Sequence, residues 1–199
     1  MGKIFYIMGK SSTGKDTIFE ELLGRRELDL HNIVLYTTRP IRAKETEGVQ
    51  YYFVDEDRLE QLLREGKVIE LRAYDTVCGV WKYFTVDDGR IDLRGRDYLA
   101  IGTLVSYEKM RHHFGEDALV PIYIEVDDGL RLERALRRER KQSEPRYEEM
   151  CRRFLADAAD FSEGNLKSAG IQRRFLNNGD RAECMDEVAR FILENKGES

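Results

Sequence analysis

Proline and cysteine are scarce in this chain, and its 33 basic residues are outnumbered by 38 acidic ones. Only 3 of its 199 residues are proline, while 41% are hydrophobic and 36% charged. That balance excludes a disordered or linker-rich chain and suits a soluble, helix-rich globular one. Cys78, Cys151 and Cys184 are odd in number and lack CxxC or metal-ligand spacing, which excludes a disulfide framework and leaves three reduced thiols of a cytoplasmic protein as the expectation. A net charge of -5 speaks against a general nucleic-acid binder, since such proteins need a basic surface to displace counterions. Long apolar runs are missing too. The opening Ile4-Phe5-Tyr6-Ile7-Met8 is too short for a signal segment or a membrane span. No internal repeat and no Pro/Ser-rich linker divides the chain, so one domain over residues 1–199 is expected, of undetermined oligomeric state. His31, His112 and His113 have no metal-like partners and no serine sits in an elbow motif, which sets metalloenzyme and serine-hydrolase chemistry aside.

What is present begins directly after that apolar start. Gly9-Lys10-Ser11-Ser12-Thr13-Gly14-Lys15 fits G-x-x-x-x-G-K, a loop whose glycines let backbone N–H groups turn inward around phosphate oxygens while the lysine reaches the terminal phosphates. The helix that follows adds partial positive charge from its N-terminus. Where the motif usually carries a serine or threonine for magnesium, this chain has Asp16, with Thr17 next. A carboxylate suits that hard cation, and a first-turn acid also suits the helix dipole.

The pattern along the chain predicts an α/β fold: a P-loop NTPase core with a parallel sheet flanked by helices, a small, mostly β insertion, and a later arginine-rich helical segment that the resemblance given below implies is a lid. Strands are expected over Lys3–Met8, Asn32–Tyr36, Tyr51–Val54, Val68–Tyr74, Trp81–Val86, Tyr98–Ile101, Leu119–Glu125 and Arg174–Leu176. Helices are expected over Asp16–Leu23, Glu56–Arg64 capped by Asp55, Leu104–His113 and Cys184–Glu194, with Gly164–Gly170 a loop. The insertion covers about residues 34–90 and the lid about 131–154, leaving about 1–33, 91–130 and 155–199 as core. From Arg131 to Arg153 the lid carries nine basic residues against five acidic ones.

The polar stretch after Tyr36 has its own chemistry. A monophosphate dianion is held best by forked donors, and Arg39 with Arg42, joined by the Tyr51 hydroxyl, supplies charge-assisted bonds of that kind.

Thr37-Thr38-Arg39-Pro40-Ile41-Arg42, then Glu45, Gly48 and Tyr51-Tyr52-Phe53-Val54, resembles the T-T-R-x-x-R…G-E…G…Y-x-F-V signature of guanylate kinases, and Gly66-Lys67-Val68-Ile69-Glu70 resembles their G-x-F-[IL]-E. With the phosphate loop, the resemblance is specific over about residues 3–74. It implies transfer of the γ-phosphate of ATP, with Mg²⁺, to GMP or dGMP. The partners implied are small-molecule nucleotides, with no nucleic acid and no membrane. Gly9, Ser11, Ser12, Thr13, Gly14, Lys15, Asp16 and Thr17 would serve the ATP phosphates, Asp16 also the metal. Thr37, Arg39, Arg42 and Tyr51 would serve the acceptor phosphate, and Glu70 the N1–H and N2 amino group of guanine. Arg138 and Arg153 match the lid arginines best, with Arg134, Arg137 and Arg152 as competitors, and Asn177 falls near the adenine. Lys15, Arg42, Arg138 and Arg153 form the implied catalytic set.

The chain also departs from the family. Thr76-Val77-Cys78-Gly79-Val80-Trp81 stands where guanylate kinases have Y-G-[ST], whose hydroxyl reads guanine O6; Thr76, Tyr83 and Thr85 are the candidate substitutes, and Trp81 could pack the base. Leu99-Ala100-Ile101-Gly102-Thr103 stands where they have L-D-I-D, so both aspartates are absent. Two other functions therefore remain in view: a related kinase acting on another phosphorylated small molecule, such as a ribose phosphate, and a non-catalytic module that binds a protein partner.

Overall fold

The computed structural model describes residues 1–76 and 79–197. Strand β1 (Ile4–Met8) is buried along its whole length and lies at the centre of a five-stranded parallel sheet. Its neighbours there are β7 (Asp97–Gly102) and β8 (Leu119–Glu125), with β2 (Leu30–Asn32) and β9 (Arg174–Leu176) at the edges. A parallel sheet needs cover on both faces, and alternate residues of β1 serve the two sides. Ile4, Tyr6 and Met8 pack with Leu104, Tyr107 and Met110 of α3 (Leu104–Phe114). Phe5 and Ile7 pack with Ile18 and Leu22 of α1 (Lys15–Leu23) and with Val188 and Ile192 of α7 (Arg181–Asn195).

Between β2 and β7 the chain builds a second sheet, in the order β4 (Tyr51–Phe53), β3 (Leu35–Thr37), β6 (Gly79–Val86), β5 (Val68–Thr76). One face closes over α2 (Glu56–Arg64) through Leu59, Leu62, Phe84 and Val86. Asp55 caps α2 by accepting the Arg58 N–H. Residues directly opposite in an antiparallel pair share a face. The register Glu70↔Thr85, Arg72↔Tyr83 and Tyr74↔Trp81 therefore gathers these six on the other face, and Thr37↔Tyr83 adds Thr37.

Beyond β8, α4 (Asp128–Glu139) and α5 (Tyr147–Asp160) pack together as a helical hairpin. Among the described residues no helix is long and apolar enough to cross a membrane. Cys151 and Cys184 are free thiols, and Cys78 lies outside the described residues.

Two expectations are corrected. Asn32–Tyr36 is not one strand: β2 ends at Asn32 beside β7, and β3 starts at Leu35 in the other sheet. A run of apolar and polar residues cannot show that the chain changes sheet within it. Gly164–Gly170 is not a loop, because α6 occupies Glu163–Ser168. Ser162 caps it by accepting the Asn165 N–H, Asn165 Nδ2 donates to the Ala159 carbonyl, and Leu166 is buried. Gly170 ends the segment at φ 75°.

Candidate functional site

The loop after β1 is held in a shape that only glycine permits at two positions. A Cβ on Gly9 would stand 2.5 Å from the Ile124 carbonyl oxygen, and Gly14 takes φ 84° with Asn177 Nδ2 only 2.9 Å from where its Cβ would be. Ser12 is left-handed as well, at φ 67°, a conformation that costs a serine energy and recurs at ligand-holding turns. Thr13 Oγ1 donates to the Lys10 carbonyl, and buried Asn177 donates from Nδ2 to the Thr13 carbonyl at 2.7 Å. Asn177 thus props the loop from below. No side chain caps α1, because Gly14 stands at its N-cap, and Ser12 Oγ and Asn177 Oδ1 are buried without a partner among the described residues. An uncapped helix N-terminus beside a buried, unsatisfied hydroxyl is fitted to receive phosphate oxygens.

Lys15 opens α1 and its Nζ lies 3.1 Å from Asp16 Oδ2. The Asp16 side chain is 80% exposed, Thr17 follows half-buried in the same turn, and no group of three or more His, Cys, Asp or Glu gathers elsewhere among the described residues. One outward carboxylate beside a phosphate loop suits Mg²⁺, which keeps most of its waters and takes one or two carboxylates together with phosphates.

The α4–α5 hairpin reaches the loop through a group that sequence reading missed. Arg131 is fully buried, lies 4.4 Å over the Phe154 ring, and donates from Nε to the Ser11 carbonyl at 3.0 Å. Asp157 accepts the Ser11 N–H at 2.7 Å and lies 3.5 Å from Arg131 Nη2. Arg153 donates to Ser11 Oγ at 3.3 Å. Above them a cavity of about 180 Å³ is lined by Ser11, Ser12, Arg138, Arg146 and Arg153. Arg138 and Arg153, the two arginines favoured by the sequence, are therefore brought together at the loop. Arg134 instead donates to the Asn177 carbonyl, Arg137 faces Glu133, and Arg152 is paired with Glu149. Arg131, Ala135 and Arg138 recur at helical spacing, the one signal that places Arg131 on the loop-facing side.

Across the second sheet, Arg39 is 3% exposed and forks onto Glu45, with Nη1 at 2.7 Å from Oε2, and lies over the rings of Tyr51 and Phe53 at 5.1 and 5.4 Å. The Arg39 guanidinium holds the Glu45 carboxyl at about 2, and Glu45 in turn raises the Arg39 pKa. The Thr37 hydroxyl is taken up by the backbone: it donates to the Lys82 carbonyl and accepts the Arg39 N–H. Arg42 is exposed, donates its backbone N–H to Glu45, and stands 5.9 Å from the Trp81 ring. Burial raises the Tyr51 phenol pKa, and its ring meets that of Tyr83 edge-on at 5.5 Å.

Glu70 is 2% exposed and is not alone. Arg72 Nε donates to its Oε2 at 3.1 Å, Arg72 Nη2 to its Oε1 at 3.3 Å, and Thr85 Oγ1 to Oε1 at 2.9 Å. Of the candidate hydroxyls, Thr85 is thus on Glu70 itself and Tyr83 opposes Arg72. The Thr76 side chain, Val77 and Cys78 lie outside the described residues.

The missing aspartates also have a structural counterpart. Ala100 is buried in the core, and a Cβ on Gly102 would stand 2.2 Å from the Tyr6 hydroxyl and 2.8 Å from Ser106 Oγ. Tyr6 therefore fills the room in which an acidic side chain at residue 102 would begin. Burial raises its phenol pKa well above the ordinary value, and the charges of Arg72 and Glu70 reach it as well. Gly102→Ala is expected to destabilise the protein by about 1–3 kcal/mol, the usual cost of overpacking. Tyr6→Phe in the same background should recover part of that loss. Thermal denaturation of the single and double variants checks both.

A parallel sheet whose central strand runs into a glycine-shaped anion loop and then a helix defines the P-loop nucleotide-binding class. Within that class, residues 1–79 match the model of the guanylate kinase family. Curated relatives named guanylate kinase share 38% identity over 74 residues (Mycoplasma genitalium) and 41% over 73 residues (Thermus thermophilus). These matches cover 37% of this chain and only about a third of those relatives, 31% and 32%. A guanylate kinase from Porphyromonas gingivalis is 25% identical over 98% of both chains. The crystal structure of guanylate kinase from Anaplasma phagocytophilum superposes with a TM-score of 0.65 at 22% identity, covering 100% of this chain and 88% of that one. The resemblance to the guanylate kinase family is borne out, in sequence over the first 79 residues and in fold over the whole chain.

Proposed function

We propose that this protein is an ATP-dependent kinase of guanine nucleoside monophosphates, forming GDP or dGDP by in-line transfer of the γ-phosphate. The observation that carries the reading is Glu70, a buried carboxylate on the same sheet face as the Arg39–Tyr51 group, in a chain that also carries a phosphate loop fitted for a nucleotide. In this reading the second sheet, residues 34–90, binds the acceptor, and the α4–α5 hairpin, residues 131–154, is the lid. Lys15 and the loop N–H groups hold the ATP phosphates. Arg39, Arg42 and the Tyr51 hydroxyl hold the acceptor phosphate, with Arg39 exchanging Glu45 for that anion, while Thr37 fixes the Arg39 backbone. Arg138 and Arg153 neutralise the charge that develops on the transferring group, and no side-chain base is required. Magnesium bound with ATP would supply further charge neutralisation on the phosphates, and Asp16 is the residue that would hold it. Closure of the lid excludes water and so protects ATP from hydrolysis. Such an enzyme belongs in the cytoplasm, with its nucleotides.

A coupled ADP assay over GMP, dGMP, AMP, UMP, CMP and ribose phosphates tests the proposal, with guanine nucleotides expected to lead. Preference for a ribose phosphate would make Glu70–Arg72 a structural pair and favour the related kinase of another phosphorylated small molecule. Absence of any acceptor-dependent ADP would favour a binding module, although Lys15 on an intact loop speaks against one. Asp16→Asn is expected to move the magnesium dependence of the rate to higher concentration while scarcely changing the melting temperature. An unmoved magnesium titration returns Asp16 to the part of a first-turn helix acid.

A further inference from the structure

Guanine presents three groups in a row along one edge: the donors N2–H₂ and N1–H, and then the acceptor O6. A complementary wall must offer acceptor, acceptor, donor. Glu70 supplies the two acceptors, and a lone carboxylate leaves O6 unserved. Arg72 stands one pleat along β5 on the same face, its Nε and Nη2 turned to the two oxygens of Glu70. A guanidinium carries five N–H donors in a rigid fork, and Nη1 has no hydrogen-bond partner among the described residues. Of the neighbouring hydroxyls, that of Thr85 already donates to Glu70. We infer that Arg72 is a specificity-determining residue that donates to the 6-oxo group of the acceptor purine beside Glu70; this rests on the reading of the protein as a guanine monophosphate kinase.

The pair accomplishes what neither charge does singly. Its charges cancel, so a neutral base meets a neutral but strongly polar edge and is not asked to bury an isolated ion. Adenine reverses the pattern at two points, setting its N6 amino group against the Arg72 donors and its unprotonated N1 against the carboxylate. Both mismatches leave buried polar groups unpaired, which is where discrimination between similar bases is strongest.

The test compares kcat/KM of the wild type, Arg72→Ala and Arg72→Gln on GMP, IMP and 2-aminopurine riboside monophosphate. IMP keeps the 6-oxo group and N1–H but lacks the 2-amino group, whereas the 2-aminopurine nucleotide keeps the 2-amino group but lacks the 6-oxo group and with it the N1–H. Arg72→Ala is expected to lower GMP and IMP by the same factor, about 10- to 100-fold, the worth of one charge-assisted bond in a desolvated site. The GMP:IMP ratio should hold, and the 2-aminopurine nucleotide, which shares only the loss of the Glu70 counter-charge, should fall several-fold less than either. Arg72→Gln, which keeps an amide donor, should retain part of the GMP activity and carries the test if the alanine variant does not fold; melting and ATP binding establish that. A collapsed GMP:IMP ratio would show that Arg72 acts only through Glu70, and an equal loss on all three acceptors would make it structural. Either result, or no loss on GMP, overturns the inference while leaving the kinase reading intact. A wild-type protein inactive on GMP overturns both.

Discussion

Lys15→Ala is expected to remove about 3–4 kcal/mol of transition-state stabilisation, roughly two to three orders of magnitude in rate, by analogy with deletion of a single charge-stabilising donor in other active sites. The lysine heads α1 directly above the glycine-shaped loop, with its ammonium beside an acid that is itself mostly in water. An ion pair so exposed adds little to stability. The variant should therefore melt near the wild type while losing acceptor-dependent ADP formation. Full turnover in a folded Lys15→Ala protein would remove the lysine from the mechanism and, with it, the main argument against a mere binding module.

Glu70→Gln is the second large effect, and it bears on the base rather than the phosphates. The amide keeps one oxygen but places an N–H₂ where guanine also presents N–H, so two charge-assisted bonds are weakened or reversed. A loss of about 2–4 kcal/mol in kcat/KM for GMP follows from the worth of such bonds in a desolvated pocket. ATP binding should stay nearly constant, since the proposal assigns the donor phosphates to the loop between β1 and α1. One Arg72 donor still finds the amide oxygen, so the stability loss should be smaller than the kinetic one. Retention of full GMP specificity by the folded variant would deny Glu70 a part in reading the base.

What the sequence made legible is what is local. The strand, loop and α1 announce themselves within some twenty residues, and the Asp55 cap of α2 is written three residues ahead of the N–H it accepts. Arg39, Tyr51 and Glu70 were legible through an ordered motif, and the structure sets all three on one sheet face. The hidden features depend on chain crossings. Arg131 meets Ser11 across 120 residues because α4 and α5 fold over the loop, and Tyr6 fills the space at Gly102 because β1 and β7 are neighbours. The switch between β2 and β3 leaves no local mark, since both strands want the same kind of residue. Arg72 is intermediate: residues two apart on a strand share a face, so its meeting with Glu70 was available to anyone who read β5 in alternation.

The place of β1 in the sheet also governs the order in which the molecule can assemble. Phe5 pairs with Leu99 on one side and Val120 on the other, so the strand is synthesised long before either partner exists. The β5–β6 hairpin and α2 need only near neighbours, whereas β1 must await loop closures of about a hundred residues. Until then it is a bare apolar segment with two unpaired edges, the kind of species on which aggregation and chaperone capture act. The phosphate loop inherits that delay, because Gly9 and Asn177 acquire their neighbours only when β8 and β9 are in place. In the proposed reading, nucleotide affinity is therefore among the last properties this chain acquires as it folds, and a nascent or truncated form that has lost β9 and the Asn177 that follows it lacks the prop beneath its loop.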